Sequence, residues 1–519
     1  MSEILSSAQM RGIEQQAIAS GAVAGLELME RAGAGVVAQI ATVFPDLPPS
    51  TALILCGPGN NGGDGFVIAR LLHERGWDID LHLLGDPARL PPDARSNYQR
   101  WAAIGPVTPW NDAKIEDLLD KMASGLVVDA LFGTGLTRPM PPETARTWHG
   151  FATLLHRAQN ARPQVVAVDI PSGLCSDSGR DFEGAFWADL TVSFHRAKWG
   201  HYLAPSGPPE GGAARCGLVV TVDIGLPQAP APGSVQLVER PSSFLGKTMR
   251  AHKYGHGHAL VLAGGAGKGG AARLAARAAL RVGAGLVTVA ASQPAIAEHA
   301  AQLTAIMLRA LPDGYTLRGM LQDERLNALC LGPGLGAARA QDMVPAALWA
   351  KRATVLDADA LTAFADDPAP YFAQLHDKVV LTPHLGEFRQ LFPDLAARLA
   401  APVSRGPAYS KIEAVRAAAA RAGCVVLLKG PDTVIADPSG RAALHSATGA
   451  NAAPWLATAG SGDVLAGLAC GLMARGHSAF DAAANAAWLH AAAARAFGPG
   501  LIAEDLPEML PQVFRELGL

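Results

Sequence analysis

Cysteine is scarce and net charge is almost absent in this chain of 519 residues. The six cysteines are far apart, without the spacing of a metal site or the density of a disulfide scaffold. A formal net charge of −3 gives no sign of a nucleic-acid partner or a membrane surface. No apolar run is long enough to span a bilayer, and the first residues lack the order of a signal peptide. We therefore expect a cytoplasmic protein without nucleic-acid or membrane partners.

Short apolar runs alternate with helical patterns along the whole chain. Runs such as Thr51–Cys56, Leu126–Ala130 and Leu190–Phe194 predict buried strands. Strands of this kind that are separated by helices are typical of a parallel sheet covered on both faces. The sequence therefore predicts the α/β class.

The length and composition predict more than one domain. An apolar content of 49% is enough for a sizeable core in each half of the chain. A stretch rich in proline and alanine begins at Leu226 and has no periodicity, which is typical of a linker. We predict a first domain over residues 1–225, a linker over 226–250 and a second domain over 251–519.

An unusual polar loop follows the first predicted strand of the sheet. It extends from Gly57 to Gly65 and matches the G-x-G-x-x-G pattern of dinucleotide-binding turns. It also contains Asn60, Asn61 and Asp64, which such a turn does not need. Amide and carboxylate oxygens suit a cation or ribose hydroxyls, whereas the glycines admit a phosphate. The alternative is a glycine-rich structural turn.

Two further polar loops follow two later strands. In the first of them, Asp129 comes at a strand end, and Arg138 can face a phosphate. In the second, Asp169 is flanked by apolar residues, a setting that raises the pKa of a carboxyl group. Because ligands bind at the carboxyl ends of parallel strands, we expect one site that is rich in oxygen ligands and suits an alkali or alkaline-earth cation. The alternatives are a turn cap for Asp129 and a solvated surface position for Arg138.

Five segments of the first half together resemble the NAD(P)H-hydrate epimerase family. The resemblance covers roughly residues 8–225 and implies a Rossmann-like, doubly wound sheet. It also implies epimerisation of the R and S hydrates of NADH and NADPH, in which the hydroxyl at C6 of the nicotinamide leaves and returns without a redox cofactor. The segments are Met10-Arg11, Leu28–Gly33, Asn60–Gly65, Asp129–Gly135 and Asp169–Leu174.

The same resemblance implies roles for individual residues. A potassium ion is expected at Asn61, Asp129 and Ser172. Asp169 is expected to act as the catalytic acid–base group, and Lys198 matches the family without a defined role. The implied substrate-binding residues are Asn60, Asn61, Gly62, Gly63, Asp64, Gly133, Thr134, Gly135, Leu136, Thr137, Arg138, Pro139 and Asp169.

In the second half, a tight turn, Gly460-Ser461-Gly462, is followed by Asp463 and an apolar, helix-forming run. Glycine N–H groups and a helix N-terminus suit an anion such as a phosphoryl group, and Asp463 can take a proton from a hydroxyl beside it. Lys429 can neutralise a phosphate, and His384 can orient a substrate. The alternatives are a helix cap for Asp463, a surface position for Lys429 and a turn histidine at His384.

These segments resemble the ribokinase-like superfamily, and more closely its NAD(P)H-hydrate dehydratase branch, over roughly residues 252–517. The resemblance implies ADP as co-substrate, magnesium, and Asp463 as the catalytic base for attack of the C6 hydroxyl on a phosphoryl group. The chain departs from the family pattern at Leu385 and at Ala450–Trp455. The implied nucleotide-binding residues are Lys429, Gly430, Pro431, Asp432, Thr433 and Gly462, and the implied substrate-binding residues are Ala271, Gly334, His384 and Asp463.

We therefore predict a bifunctional enzyme that repairs hydrated NADH and NADPH. The first domain interconverts the R and S hydrates, and the second dehydrates the S form while ADP becomes AMP and phosphate. Two alternatives are a small-molecule kinase and a non-catalytic dinucleotide-binding module. The loops of the first domain argue against a kinase, and Asp169 and Asp463 argue against a non-catalytic module. We also expect a homo-oligomer, because the N-terminal helices have apolar faces.

Overall fold

The computed structural model describes residues 2–157, 162–182, 184–203, 215–241, 245–247, 252–402 and 406–519. The chain divides into two compact units. The first unit comprises Glu3–Ser234 and Pro402–Ser410, and the second comprises Met1–Ser2, Val235–Ala401 and Lys411–Leu519. The units are therefore not continuous in sequence. Within the predicted linker 226–250, residues 242–244 and 248–250 lie outside the described residues, as does residue 251.

The first unit contains a parallel sheet, seven-stranded within the described residues. Apart from the exposed Thr51, its central strands are buried, as their largely apolar sequences predict. Parallel pairing brings the carboxyl ends of Thr51–Cys56, Leu126–Ala130 and Gln164–Val168 to adjacent positions at one edge of the sheet. The strand order is Thr108–Pro109, Asp78–Leu83, Thr51–Cys56, Leu126–Ala130, Gln164–Val168, Leu190–Phe194 and Leu218–Val222.

Helices cover this sheet. The first helix, Ser7–Ala19, begins at Ser6, whose hydroxyl accepts a hydrogen bond from the Gln9 N–H in a capping box. The strand Ser2–Ile4 precedes it. The described helices of the first unit are Ser7–Ala19, Gly25–Val43, Asn60–His73, Pro92–Ala102, Asp112–Lys121 and Ala145–Leu155, with short 3-10 helices at Pro87–Arg89, Pro142–Thr144 and Trp199–His201.

The second unit has a larger, mixed sheet. From Val235–Leu237 onward its strands pair in parallel, except for the antiparallel meander formed by Val425–Leu428, Asp432–Ala436 and Ala442–Ser446. Val235–Leu237 falls inside the predicted linker 226–250, yet it pairs with Ala442–Leu444 because Val235 and Leu237 are buried. From this strand onward the order is Val235–Leu237, Ala442–Ser446, Asp432–Ala436, Val425–Leu428, Val379–Leu381, Ala353–Leu356, Leu326–Leu331, His258–Leu262, Leu286–Ala291 and Met307–Ala310.

The helix Ser461–Ala474 lies deep in the second unit against the helix Gly270–Arg281. A Cβ on Gly467 would lie 2.1 Å from the Ala275 carbonyl oxygen, so only glycine permits this approach. The close contact fixes the N-terminus of the helix that carries Asp463. The described helices of this unit are Gly270–Arg281, Ile296–Ala300, Gly314–Met320, Ala337–Trp349, Asp359–Thr362, Pro368–Phe372, Leu385–Leu391, Pro393–Ala400, Lys411–Ala422, Ser461–Ala474, Ala479–Phe497 and Asp505–Glu516, with 3-10 helices at Lys253–His256, Gln293–Ala295, Gly449–Asn451 and Pro454–Leu456.

All six cysteines are buried free thiols. Burial raises the pKa of several of them, including Cys216 to about 12. No described helix has the combination of length and apolar character that crossing a membrane requires.

Candidate active sites

In the first unit, three loops meet where three adjacent strands end. They follow Thr51–Cys56, Leu126–Ala130 and Gln164–Val168, which are neighbours in the sheet. The loop after the first strand packs tightly, since a Cβ on Gly57 would lie 1.8 Å from the Leu131 carbonyl oxygen. The G-x-G-x-x-G pattern therefore reflects close backbone packing at this edge.

Asn61 and Asp169 approach the same point from different loops. A Cβ on Gly133 would lie 2.9 Å from Asn61 Oδ1 and 3.4 Å from Asp169 Oδ2. The Thr134 N–H donates to Asp169 Oδ2 over 3.4 Å. Among the described residues, the buried Nδ2 of Asn61 has no hydrogen-bond partner, so it offers a donor to a ligand. Four of the predicted substrate-binding residues are thus brought together.

Asp169 is held by a buried ion pair. Lys198 Nζ lies 2.7 Å from Asp169 Oδ1 and also donates to Ser193 Oγ at 2.8 Å. Burial alone would raise the pKa of Asp169, but the charge and hydrogen bond of Lys198 hold that pKa below its ordinary value. The prediction of a raised pKa for Asp169 is therefore wrong, because sequence neighbours do not reveal this partner.

The backbone at Asp169 is also constrained. Its φ angle is 66°, in the left-handed region that few non-glycine residues adopt. His201 Nε2 lies 2.8 Å from the Asp169 carbonyl oxygen, and the Lys198 N–H donates to His201 Nδ1. Burial lowers the pKa of His201 to about 4, so its ring is neutral at neutral pH. The sequence analysis missed His201, although it lies in the same short segment as Lys198.

A second carboxyl group, that of Asp64, is also buried in the first unit. Burial and the negative charges of Asp169 and Glu14 raise the pKa of Asp64 well above its ordinary value. Burial likewise raises the pKa of Glu14, a residue that the sequence analysis did not single out. The environments thus drive the pKa values of Asp64 and Asp169 apart, a pattern that assigns acid and base roles.

Asp129 and Ser172 form a buried oxygen cluster. Ser172 donates its hydroxyl to Asp129 Oδ1 at 2.6 Å and its N–H to Asp129 Oδ2 at 2.7 Å. Burial raises the pKa of Asp129 to about 6. Two of the three predicted potassium ligands are therefore in direct contact. The Leu131 N–H also donates to Asp129 Oδ1, so the predicted turn-cap contact is present as well.

The remaining residues of the loop 133–139 extend outward. Gly135, Thr137, Arg138 and Pro139 are exposed, whereas Leu136 is half-buried. Arg138 is therefore exposed to solvent, where an anionic ligand can reach it.

In the second unit, Lys429 lies between two carboxylates. Its Nζ is 2.7 Å from Asp357 Oδ1 and 3.8 Å from Glu387 Oε2. Burial would lower the pKa of Lys429, yet the two carboxylates hold it above its ordinary value. The predicted phosphate-neutralising lysine is therefore a half-buried cation that is paired with Asp357. The sequence analysis did not single out Asp357 or Glu387.

Asp463 lies in the first turn of the helix Ser461–Ala474. The N-cap is Gly460, with φ of 89°, and no side chain caps the helix. The helix-cap alternative for Asp463 is thus not what the structure shows. Burial and the charge of Asp357 raise the pKa of Asp463 to about 6, close to the range of an effective general base.

Other predicted residues of this site are close in space. A Cβ on Gly462 would lie 3.5 Å from Lys429 Nζ and 3.9 Å from Asp357 Oδ2. A Cβ on Gly334, where φ is 62°, would lie 3.3 Å from Ala271 Cβ. The site therefore contains two pairs of neighbouring predicted residues, Gly462 with Lys429 and Gly334 with Ala271.

His384 is the N-cap of the helix Leu385–Leu391. Its Nδ1 accepts hydrogen bonds from the Gly386 and Glu387 N–H groups at the start of the helix Leu385–Leu391. The ring is 61% exposed, so its other edge is accessible to a ligand. Leu385, where the family usually has proline, is the first residue of this capped helix.

Hydrogen bonds from Lys411 fix the predicted nucleotide-binding loop from Lys429 to Thr433. Lys411 Nζ donates to Asp432 Oδ1 at 2.7 Å and to the Asp432 carbonyl oxygen at 2.8 Å. Thr433 Oγ1 donates to the Gly430 carbonyl oxygen. The carboxylate of Asp432 is thus engaged with Lys411, which the sequence analysis did not single out.

The last two residues of the departure at Ala450–Trp455, Pro454 and Trp455, line a cavity that also includes Ala457 and Thr458, just before the turn at Gly460. The cavity has a volume of about 390 Å³. A Cβ on Gly460 would lie 2.9 Å from Ala503 Cβ. Ala503 follows the lining residues Gly500, Leu501 and Ile502, so this side of the cavity is next to the turn. The cavity is lined by Pro454, Trp455, Ala457, Thr458, Gly500, Leu501 and Ile502.

Two family models match the chain. A model described as NAD(P)H-hydrate dehydratase matches residues 259–511. A model described as YjeF-related protein N-terminus matches residues 25–200. Each match includes all the predicted site residues of the corresponding unit, whereas Glu14 and His201 lie outside the first match.

Individual relatives cover the chain in whole or in part. The chain is 35% identical to a bifunctional NAD(P)H-hydrate repair enzyme of Salinibacter ruber, across 99% of this chain and 96% of that protein. It is 50% identical to an NAD(P)H-hydrate epimerase of Rhodobacter capsulatus, across 39% of this chain and 92% of that protein. A solved ADP/ATP-dependent NAD(P)H-hydrate dehydratase from Bacillus subtilis, co-crystallised with ATP and Mg²⁺, is 28% identical, with a TM-score of 0.42 over 52% of this chain and 93% of that one.

Proposed function

Because the chain belongs to the family of bifunctional NAD(P)H-hydrate repair enzymes, we propose that its two units perform successive reactions on hydrated NADH and NADPH. The first unit epimerises the R and S hydrates. The second unit dehydrates the S hydrate while ADP is converted to AMP and phosphate. The observation that carries this proposal is that each unit places one carboxylate, Asp169 or Asp463, where a loop and a charged partner tune its protonation.

At the first site, the hydroxyl at C6 must leave one face of the ring and return to the other. The ring nitrogen supplies the electron pair that expels the hydroxyl, and a proton must accompany the departing oxygen. Asp64, whose raised pKa keeps it protonated, supplies that proton. Asp169, which Lys198 keeps ionised, takes a proton from the water that returns to the opposite face.

The substrate contacts of this site follow from its unpaired and exposed groups. The buried Asn61 Nδ2 donates to the substrate, and Gly133 leaves room for the ring between Asn61 and Asp169. Arg138, on the exposed part of the loop, contacts a phosphate of the dinucleotide.

A potassium ion fits the oxygen chemistry of the first site. Asp129 and Ser172 are in contact through two hydrogen bonds, and Asn61 adds an amide oxygen. These are hard oxygen donors with a single formal negative charge, which suits a monovalent cation. When bound, potassium would attract oxygen atoms of the substrate and orient them.

At the second site, Asp463 removes the proton of the C6 hydroxyl. The oxygen attacks the terminal phosphorus of ADP, the bond to the bridging oxygen breaks, and AMP leaves. The phosphate ester at C6 then departs with its bonding electrons, and loss of a proton from C5 restores the dihydronicotinamide. The exposed N–H groups at the start of the helix Ser461–Ala474 stabilise the phosphoryl group during transfer.

Lys429 and its carboxylate partners prepare the nucleotide site. Because Asp357, Glu387 and Asp463 together exceed the single charge of Lys429, a nucleotide phosphate needs a counter-cation here. Asp357 Oδ2, the oxygen not taken by Lys429, would hold magnesium carried with ADP, and the ion would supply that charge. Ala271, Gly334 and His384 line the substrate side.

We further propose that the protein is a homo-oligomer in the cytoplasm. Six buried free thiols suit a reducing compartment. Light scattering of the purified chain tests the assembly: a single monomeric mass at micromolar concentration would contradict it.

Separated R and S hydrates test the two activities individually. Without nucleotide, only the first site turns over, so interconversion of the hydrates by chromatography reports epimerisation. With ADP and the pure S hydrate, recovery of the dihydronicotinamide absorbance reports dehydration. We expect Asp169→Asn to abolish only the first activity and Asp463→Asn only the second. Loss of both activities in either variant would contradict the assignment.

A further inference from the structure

A short segment from the second half of the sequence lies against the first site. Residues 406–408 are part of Pro402–Ser410, which belongs to the first unit although the chain on either side belongs to the second. The family model that matches the first half ends at residue 200, so this segment is outside it. The fold thus adds to the first site a piece from the part of the chain that matches the dehydratase model, residues 259–511.

The first contact is between backbones. The Gly406 N–H donates to the Thr137 carbonyl oxygen over 2.7 Å. A Cβ on Gly406 would lie 3.0 Å from Thr137 Cα and 3.1 Å from Phe182 Cζ. The segment therefore packs directly on the loop 133–139, and a side chain at position 406 would have to displace Thr137 or Phe182 by a few tenths of an ångström.

The second contact is apolar. Ala408 is buried in a cluster with Cys175 and Phe182, and Leu136 packs against this cluster. The Phe182 N–H donates to the Gly173 carbonyl oxygen over 2.9 Å, which connects the cluster to the loop that follows Asp169. The segment thus contacts both loops that border Asp169.

We propose that residues 406–408 are a positioning element of the first site that orders the loop 133–139 for substrate binding. The loop begins with Gly133 and Thr134, which face Asp169 Oδ2. A loop that is ordered before binding loses less conformational freedom when the substrate arrives, so the affinity for substrate is higher. The inference rests on the proposed function of this loop.

Two substitutions in the full-length chain weaken the two contacts separately. Gly406→Ala places a Cβ against Thr137 and Phe182, and Ala408→Asp places a carboxylate in the apolar cluster. Gly319→Ala is the matched control for the first, because nothing lies within 4 Å of a Cβ at Gly319. Ala113→Asp, at an exposed position of the first unit, is the control for the second.

Hydrogen–deuterium exchange and epimerisation kinetics are measured on the same preparations. We expect both variants to speed amide exchange in peptides covering 133–139 by about tenfold and to raise KM for the R hydrate by about three- to tenfold, with kcat changed less. Dehydration of the S hydrate with ADP stays within about twofold of the wild type, which shows that the second unit is unaffected, and the largely retained kcat of epimerisation shows that the first unit is folded. The two controls leave all three readouts unchanged.

Unchanged exchange in 133–139 in both variants would overturn the proposal, as would a fall in kcat with KM unchanged. A wild-type chain that does not interconvert the hydrates would instead overturn the proposed function. In that case the exchange measurement alone decides whether the segment orders the loop.

Discussion

Replacement of Lys198 by methionine is a direct test of the ion pair that tunes Asp169. Lys198 is 1% exposed, and its ammonium lies 2.7 Å from Asp169 Oδ1. Removal of one partner of a buried pair leaves an uncompensated charge and costs about 3–5 kcal/mol. Asp169 keeps its contacts with Ser193 and Thr134, so we expect the lower end, about 3 kcal/mol.

The effect should depend on pH in a defined direction. In the wild type, the depressed pKa of Asp169 stabilises the fold above the unfolded-state pKa of about 4, and that stability is lost as pH falls through the folded pKa. In Lys198→Met, burial raises the pKa of Asp169 instead. The free energy of unfolding that the variant loses relative to the wild type is therefore small at pH about 4 and grows as the pH rises. Above that pH, the unfolded chain ionises Asp169 freely, whereas the folded variant must either ionise a buried carboxyl group or keep it protonated, and both cost free energy.

Urea unfolding, followed by hydrogen exchange in peptides of Gln164–Val168 and Leu190–Phe194, measures the stability of the first unit. The double variant Lys198→Met/Asp169→Asn has no uncompensated carboxylate, so we expect it to recover most of the loss at pH about 8. The reasoning would be refuted by a deficit that is equal at pH about 5 and about 8. It would also be refuted by a double variant that is no more stable than Lys198→Met.

Three further predictions concern activity and packing. The kcat/KM of dehydration should fall as the pH falls through about 6, because Asp463 must be ionised. Lys429→Met should move this acid limb of the pH profile to higher pH, because the charge of Lys429 lowers the pKa of Asp463, and a profile without an acid limb would contradict the prediction. Gly133→Ala should reduce epimerisation at least about tenfold, because its Cβ would lie 2.9 Å from Asn61 Oδ1, while dehydration is unchanged; equal epimerisation rates would contradict it. Gly467→Val should destabilise the second unit by about 2 kcal/mol or more in urea unfolding, since its side chain meets the Ala275 carbonyl oxygen; an unchanged midpoint would contradict that.

Local signals in the sequence predict the elements and loops that depend on neighbouring residues. The strands Thr51–Cys56, Leu126–Ala130 and Leu190–Phe194 have the predicted ends, because each is a short, mostly apolar run that begins after a polar residue or a glycine. The three polar loops of the first unit meet as predicted, since parallel strands align their carboxyl ends.

Contacts between distant residues are not visible in such signals. The partner of Asp169 is 29 residues away, so its pKa moves opposite to the direction that its apolar neighbours predict. Lys429 is 72 residues from Asp357, and its pairing cannot be derived from the strand Val425–Leu428 that it follows. The strand Val235–Leu237 was hidden because three residues show no periodicity of their own.

The measurement that tests the whole account is recovery of dihydronicotinamide absorbance from a mixture of R and S hydrates, with wild-type chain, potassium, magnesium and ADP. The account predicts recovery of the entire hydrate pool, because the first unit converts the R form into the S form that the second unit consumes. Recovery that stops at the initial S fraction, apart from slow spontaneous epimerisation, would contradict the role of the first unit. No recovery with either ADP or ATP would contradict the role of the second.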